Sequence, residues 1–194
     1  KNSSVRTLVW IAKINEKYGA DEARKAFSEA RNRDEYDYLI DVMFGEAALE
    51  ERQTNWDRVL AIYQEIQDNF PSDERAADAA LAKADAFAKL GKHDKAIAEY
   101  ESVLRTPAWR GNAHAEALYK LGKIAQLDSK IDAALMYYDR CYLGFANCYK
   151  WTGKALLSAA QLLSAQNNKD KAKEICDEFL GNKLNEASPD FSEI

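Results

Sequence analysis

Apolar residues recur three and four positions apart along most of the chain, and the clearest run covers residues 80–104. This spacing is typical of one face of an amphipathic helix. Gly91 interrupts the pattern, so the run is predicted to form two helices joined by a turn. The apolar positions are Leu81, Ala84, Phe87 and Ala88 before the glycine, and Ala96, Ile97, Tyr100, Val103 and Leu104 after it.

The same pattern returns along the chain at intervals of 36 to 38 residues. The positions of Ala96 and Tyr100 are taken by Ala23 and Phe27, Val59 and Tyr63, Ala134 and Tyr138, and Ala172 and Cys176. A fixed period of this size is typical of repeat architectures, whose units must stack to bury their apolar faces. We therefore predict an all-α fold, a right-handed α-solenoid of about five antiparallel hairpins and about ten helices. The predicted hairpins cover residues 4–31, 36–70, 73–106, 113–143 and 151–181.

On this pattern residues 1–182 are one solenoid domain, followed by a polar C-terminal tail at 183–194. In the first hairpin, Trp10, Ile11 and Ile14 are expected to face inward. Asp21 is the predicted N-cap of the second helix, because its carboxylate can accept from a backbone N–H there. Pro71 cannot continue a helix, so it predicts a helix end just before it.

Composition and charge narrow the possible functions. Hydrophobic residues make up 47% of the chain, with only 8 Gly and 3 Pro, which fits closely packed helices. The net charge is -5 with both signs interspersed, whereas a nucleic-acid footprint needs a clustered basic face. No apolar run approaches the roughly 18 residues of a membrane span. Since helical patterning starts at residue 4 with no Met or signal peptide before it, the sequence reads as a mature form or a piece of a longer protein.

Neither the cysteines nor the histidines form a pattern that indicates chemistry. Cys141, Cys148 and Cys176 are odd in number and lack CxxC spacing, so no zinc site is predicted. Cys141 and Cys176 are expected on apolar helix faces, although a disulfide between Cys141 and Cys148 is an alternative. His93 in a turn and His114 at a helix start are expected to be exposed and solitary. No catalytic motif is present, so we predict no enzyme, no metal and no cofactor.

A large apolar residue, a glycine, an alanine and an aromatic residue follow one another in the third and fourth hairpins. They are Phe87, Gly91, Ala96, Tyr100 and Pro107, then Leu121, Gly122, Ala134, Tyr138 and Cys141. In this order the chain resembles tetratricopeptide repeats over about residues 4–180, with a period longer than the usual 34 or so residues. Ala125 stands where that family has an aromatic residue. The connector at 69–73 is similar to the periplasmic branch of the family, which implies a bacterial, periplasmic or envelope-associated location.

The resemblance implies a non-catalytic scaffold whose concave groove, lined by the first helix of each hairpin, binds a peptide or helix of a partner protein. Leu8, Ala12 and Leu81 are inward-facing in this register and are expected to be reachable by solvent. The C-terminal half of the groove is basic and amide-rich, which favours acidic partners. The predicted partner-binding residues are Phe44, Arg52, Asp85, Lys89, Tyr119, Lys120, Lys123, Gln126, Lys154 and Gln161.

A structural spacer or self-assembly module of a larger protein is the alternative function. The terminal hairpins lack neighbours on one side, so a homo-oligomer through them is possible. Aromatic residues are frequent at Trp109 and at 145–151. If these residues were exposed together they would form a contact patch, and otherwise they pack between hairpins.

Overall fold

The computed structural model describes residues 5–33 and 36–181. Within these ranges the regular elements are ten α-helices and a short 3₁₀ helix at Pro107–Trp109, and the all-α prediction is confirmed. The predictions for the Ile14 side chain and for the tail at 183–194 lie outside the described residues. The helices are α1 (Val5–Tyr18), α2 (Ala20–Arg31), α3 (Tyr36–Arg52), α4 (Trp56–Asn69), α5 (Ala76–Lys89), α6 (His93–Arg105), α7 (Asn112–Leu127), α8 (Ile131–Gly144), α9 (Tyr149–Ala165) and α10 (Lys169–Gly181).

The helix ends agree with the proline and glycine signals in the sequence, whereas one predicted cap does not. Helix α4 ends at Asn69, just before Phe70 and Pro71, and Gly91 has the positive φ of +68° that a glycine adopts without strain. The prediction of Asp21 as an N-cap is wrong, because α2 begins at Ala20 and its N-cap is Gly19. The Asp21 carboxylate lies instead in the first turn and pairs with the guanidinium of Arg24 at 3.1 Å.

The chain forms two compact units, Lys1–Leu90 and Gly91–Ile194, called unit 1 and unit 2 below. Unit 1 contains α1 to α5 and unit 2 contains α6 to α10. Within each unit consecutive helices pack together, and α1 also contacts α3 as α7 contacts α9. The boundary falls in the turn of the third predicted hairpin. The single solenoid over residues 1–182 stays a prediction.

The small and aromatic positions of the repeat form the cores of both units. In unit 1, Ala23 and Phe27 are buried in one cluster, and Val59 and Tyr63 in another. In unit 2, Ala134, Tyr138 and Ala172 are buried in a third cluster, against which the partly buried Cys176 packs, and Ala96 and Tyr100 are buried as well. The repeat positions were therefore predicted correctly as core.

A network of ion pairs crosses the helices of unit 1. The Glu46 carboxylate accepts from Arg31 of α2 at 2.7 Å and from Arg58 of α4 at 2.6 Å. Glu50, one turn further along α3, is paired with Arg24 at 2.6 and 3.1 Å. This bidentate hydrogen bond from Arg24 holds the pKa of the Glu50 carboxyl below its usual range. Both glutamates are buried, which is tolerable only because each has charged partners.

The inward direction predicted for Trp10 is wrong, since its side chain is 63% exposed. Leu8 and Ala12 of α1 are buried and pack in one cluster with Val42 and Leu49 of α3. Because Trp10 lies two residues from each, it points about 200° away from them around the helix. Leu8 and Ala12 were expected to be reachable by solvent, but they are buried. Leu81 of α5, for which the same was expected, is buried too.

The cysteines are free thiols, and no disulfide joins Cys141 to Cys148. Cys141 is buried as expected, and its Sγ donates to the carbonyl oxygen of Ala115 at 3.3 Å. Burial raises the pKa of the Cys141 thiol to about 12, with a smaller contribution from Cys148. Cys176 is half-buried and packs against the core of unit 2. These cysteines therefore behave as small apolar residues.

Candidate functional site

The feature of unit 2 that best fits a binding site is centred on Trp151, in the first turn of α9. The indole is 8% exposed, because its ring lies against Tyr119 of α7 with centroids 5.7 Å apart. Tyr119 in turn lies 6.1 Å from the buried ring of Tyr138. The three rings are therefore in contact in series across the neighbouring helices α8, α7 and α9.

Three lysines surround this indole. The ammonium groups of Lys150, Lys154 and Lys120 lie 4.4, 5.4 and 6.0 Å from the centroid of the Trp151 ring. At these distances the ring attracts each cation, which restrains the lysine side chains near one point of the surface. We call Tyr119, Lys120, Lys150, Trp151 and Lys154 the Trp151 cluster.

The Trp151 cluster carries net positive charge. Lys120 forms an ion pair with Glu116, one turn earlier on α7, at 3.5 Å. In the part of the chain that the structure describes, Lys150 and Lys154 form no ion pair. Their charge is therefore available to an acidic group brought to the surface beside them.

Two further predicted residues of α7 lie next to Tyr138. The Gln126 Oε1 accepts from the Tyr138 hydroxyl at 2.9 Å and from the Lys123 ammonium at 3.5 Å. Gln126 thus holds both neighbours in place, which limits its availability to a ligand. Gln161 is exposed on α9, two turns beyond Lys154, and the structure brings it into no contact with the cluster.

The predicted residues of unit 1 are less concentrated. Phe44 is half-buried on α3 and lines a cleft of about 420 Å³ between α1 and α3. Arg6, Lys13 and Asp41 also line this cleft, so its charges are mixed. The ring of Phe44 lies 5.9 Å from that of Tyr63, which ties it to the core.

The other three predicted residues of unit 1 lie apart from that cleft. Lys89 is paired with Glu51 and lies 5.8 Å from the centroid of Trp56, so its charge is already balanced. Arg52 is exposed at the end of α3 and Asp85 is half-buried in α5. Neither lines the cleft that contains Phe44.

Sequence reasoning missed Lys150 and did not connect Trp151 with Lys120 and Lys154. The available signal was the spacing from Lys154, since Lys150 lies four residues and Trp151 three residues before it, and a helix makes neighbours of residues three and four apart. The possible aromatic contact patch is wrong, since Trp151 is buried and Trp109 and Phe145 are half-buried. The packing interpretation of these aromatic residues is the one that the structure supports.

The prediction that both histidines are exposed and solitary is also wrong. His114 is 6% exposed, with its Nε2 3.0 Å from the carbonyl oxygen of Thr106 and its ring 6.0 Å from that of Phe145. It is buried because the connector before α7 folds back over the start of that helix. His93 has its Nδ1 2.9 Å from a carboxylate oxygen of Asp128.

The described ranges contain neither a candidate metal site nor a candidate membrane span. Within residues 5–33 and 36–181, no three His, Cys, Asp or Glu side chains are grouped so that they could hold a metal ion. None of the helices in those ranges has the length and apolar character needed to cross a membrane.

Comparisons with known proteins identify the class of fold. A family model described as tetratricopeptide repeat matches residues 78–106, in α5 and α6. No curated protein sequence matches the chain. Among solved structures, the crystal structure of BtubC (BKLC) from P. vanneervenii has a TM-score of 0.67 and 18% sequence identity, over 90% of this chain and 77% of that chain. At this identity the likeness shows the fold alone.

The chain therefore has an all-helical fold, and its segment at residues 78–106 is similar to a tetratricopeptide repeat. Repeats of this type generally mediate protein–protein interactions, and the family is typically non-catalytic. The family model matches the third predicted hairpin, which has the clearest repeat pattern in the sequence.

Proposed function

We propose that this chain is a non-catalytic scaffold that binds an acidic peptide or helix of a partner protein at the Trp151 cluster. The observation that carries the proposal is the convergence of the Lys120, Lys150 and Lys154 ammonium groups on one ring. Lysines held in this way lose less conformational freedom on binding than unrestrained ones, so acidic groups gain more from contact with them.

The aromatic residues supply the second part of the interaction. Tyr119 is half-buried beside Trp151, so it offers a ring edge and a hydroxyl group to a ligand. Tyrosine and tryptophan surrounded by charged residues are common where protein partners make their strongest contacts. Lys123, one turn after Tyr119 on α7, extends the basic surface.

A defined acidic peptide tests the charge preference. We expect a fluorescein-labelled peptide of alternating Glu and Ala to bind at low ionic strength, with anisotropy as the readout. The triple substitution Lys120→Glu, Lys150→Glu and Lys154→Glu should weaken it by about tenfold or more, because each close ion pair contributes roughly 0.5–1 kcal/mol. Rising salt should weaken the native interaction as well.

The matched control reverses three exposed lysines of the same unit, Lys92, Lys95 and Lys130, and so changes the net charge equally. It should bind the peptide within about twofold of the native protein at moderate salt. Equal losses for both triple variants would contradict a localised site. If circular dichroism shows that the Trp151-cluster variant has lost helicity, single substitutions at Lys150 and Lys154 replace it.

A pull-down from lysate of the source cell, with the two triple variants as a pair, would then identify the partner. A protein retained by the native chain and the control variant but lost by the Trp151-cluster variant is the expected result. Proteins captured equally by all three would place the interaction elsewhere on the chain. The periplasmic or envelope location stays a prediction that fractionation of the source cell tests.

One observation favours the alternative, a self-assembly module. Trp10 is a large apolar side chain exposed on α1, in the first hairpin of the chain. Light scattering over a range of concentrations measures the association directly. A mass that rises with concentration and falls back after Trp10→Lys would support self-association through this hairpin.

A further inference from the structure

A second concave feature of unit 2 lies along α8, away from the residues of the Trp151 cluster. It is a cleft of about 760 Å³, within the range of roughly 300–1,000 Å³ that small-molecule sites occupy. We call it the α8 cleft. Its apolar wall is formed by Leu104, Leu118, Leu135, Met136, Leu143 and Phe145.

Part of this apolar wall is exposed to solvent. Met136 is 48% exposed and Leu143 is 67% exposed, and they lie seven residues apart, on the same side of α8. Leu118, by contrast, is buried at the base of the cleft. An occupant with an aliphatic body would remove the two exposed side chains from water.

Two guanidinium groups lie at one end of the cleft. The Arg110 guanidinium carbon is 5.2 Å from the centroid of the Phe145 ring, just after the end of α8. Arg140 lies one turn before Gly144, so it belongs to the same end. Over the described ranges neither arginine forms an ion pair, which leaves both able to bind a carboxylate through two N–H groups.

The acidic residues of the cleft make its two ends different in charge. Asp132 lies in the first turn of α8, at the end opposite the two arginines. Asp139 lies nearer to Arg140, and its carboxylate accepts from the Tyr142 hydroxyl at 3.0 Å. A negative head group is therefore favoured at the Arg110 and Arg140 end, and Asp132 repels it from the other.

We propose that the α8 cleft binds a small amphiphilic carboxylate, with its head group between Arg110 and Arg140 and its aliphatic chain along Leu143 and Met136. Asp132 and Arg140 are eight residues apart on α8, which corresponds to about 12 Å along the helix, the length of an extended chain of about ten carbons. This ligand class is independent of the acidic partner proposed for the Trp151 cluster. Either assignment can fail without the other.

The two methionines of the chain provide a test with an internal control. Met136 lines the α8 cleft of unit 2, whereas Met43 is fully buried in α3 of unit 1. With isotope-labelled methionine methyl groups, titration with sodium decanoate below its micelle concentration should shift the Met136 signal saturably. The Met43 signal should stay in place.

The head group is tested with two matched amphiphiles of the same chain length, decyltrimethylammonium and decyl maltoside. Both should bind at least tenfold more weakly than decanoate, because neither presents a carboxylate to the arginines. Equal shifts of Met136 by all three compounds would mean that the cleft selects only an apolar chain, which overturns the proposal. Absence of a saturable decanoate shift overturns it outright.

Substitutions then locate the carboxylate. The pair Arg110→Gln and Arg140→Gln should weaken decanoate by about tenfold and leave decyl maltoside unchanged. Arg105→Gln is the control, because this exposed arginine of α6 pairs with Glu101 and does not line the α8 cleft. Equal weakening by the control and the pair would show that the arginines of the cleft do not hold the head group. An unchanged Met136 signal in the ligand-free variants establishes that the cleft is intact.

Discussion

Unit 1 and unit 2 share one hairpin pattern but place different side chains between their helices. In unit 1 a single carboxylate, Glu46, joins three helices through Arg31 and Arg58. In unit 2 the helices α7 and α8 meet through an aromatic ring, since Tyr138 covers Gly122 so closely that an added Cβ would overlap the ring. Unit 1 has a similar contact as well, between Gly45 of α3 and the Phe27 ring of α2. The Glu46 contact depends on charge and the ring contacts on shape.

This difference shows which part of the repeat is fixed and which is free to vary. The small and aromatic residues at the repeat positions are buried in both units, so they define each hairpin. The other contacts between neighbouring helices differ from one pair of helices to the next. Buried carboxylates need partners to offset their desolvation, whereas rings need only complementary space. Both units are therefore expected to be sensitive to added side-chain volume, because a ring packs on a glycine in each. Unit 1 is in addition expected to be sensitive to loss of charge and to acid, and unit 2 to base.

The largest effect is expected from Tyr138→Ala in unit 2. Removing a fully buried ring leaves a cavity, which costs about 3–5 kcal/mol of unfolding free energy. Urea unfolding followed by the methyl signal of Met136 measures this within unit 2. Tyr138→Phe is the control: it keeps the ring, loses the hydrogen bond to Gln126 and should cost only about 1 kcal/mol. A cost below that of the control would show that the ring does not hold the unit together.

A smaller but charge-specific effect is expected from Glu46→Gln in unit 1. The substitution keeps the shape but removes the Glu46 charge from both arginines: Arg58 loses its carboxylate partner, whereas Arg31 keeps its pair with Glu65. We expect a loss of about 2–3 kcal/mol, below the range for a fully buried pair because the Arg58 side chain is 46% exposed. Urea unfolding followed by the Met43 methyl signal is the measurement.

The control for that substitution is Glu29→Gln, which removes a carboxylate from an exposed pair with Arg33 on α2. It should change the unfolding free energy by less than about 0.5 kcal/mol. If Glu46→Gln has as little effect as Glu29→Gln, the ion pairs of unit 1 do not stabilise it and the comparison between the units fails.

Close packing in unit 2 can be tested by adding a single carbon. Gly122→Ala should cost about 1–2 kcal/mol, because the new Cβ overlaps the Tyr138 ring and the ring must move. Gly144→Ala on α8 is the matched control, since nothing lies within 4 Å of the added Cβ and alanine favours the helix. Thermal unfolding should show the two substitutions shifting the midpoint in opposite directions. A stabilising Gly122→Ala would contradict the assigned contact.

The sequence predicted the hairpins well because their signals are local. The bounds of α4 were predicted correctly, since Pro71 and the spacing of apolar residues lie within a few positions of the helix end. The partners of Glu46 could not be predicted, because Arg31 is 15 residues away and charged residues on a helix usually face solvent. The burial of His114 depends in the same way on a backbone carbonyl in another segment.

The candidate site was predicted in part for the same reason. Lys120 and Lys154 were named from their helix register, and the structure brings both to one indole. That the indole is Trp151 depends on how α7 packs against α9, which no local pattern encodes. The α8 cleft was missed because Met136 and Leu143 look like ordinary apolar positions of an amphipathic helix, and only the packed structure leaves them exposed.

The pH dependence of stability should differ between the two units. The pKa of Asp128 in unit 2 is also lowered, by its hydrogen bond with His93, but that pair is exposed and its contribution to stability is small. The folded-state pKa of Glu50 is lowered by Arg24, so its contribution is present above about pH 4.3, the pKa of an unfolded glutamate, and is lost as pH falls through the folded value. Burial raises the pKa of Cys141 to about 12, so its contribution is present below about pH 8.5 and is lost as pH rises. Acid should therefore weaken unit 1, and mild base unit 2.

Up to about pH 10, the pKa of a free tyrosine, the loss of stability with rising pH is expected in unit 2 only. The cysteines all lie in unit 2, whereas raised tyrosine pKa values occur in both units, at Tyr63 and Tyr138. Between about pH 8.5 and 10 the unfolding midpoint reported by Met136 should fall while that of Met43 holds. The opposite order would mean that the buried thiols do not govern the response to base.

The smallest effect concerns a polar group of unit 1 that lacks a partner. Among the described residues the buried Nε2 of Gln67 has no hydrogen-bond partner, whereas Gln64 on the same helix accepts from Lys83 at 2.6 Å and donates to Asp68 at 2.8 Å. Gln67→Met should stabilise unit 1 by about 0.5–1 kcal/mol, because an unsatisfied donor is replaced by an apolar group of similar length. Gln64→Met should destabilise it, because the buried Lys83 ammonium loses its hydrogen bond to Gln64. If both substitutions act in the same direction, satisfied hydrogen bonds between helices are not what distinguishes unit 1 from unit 2.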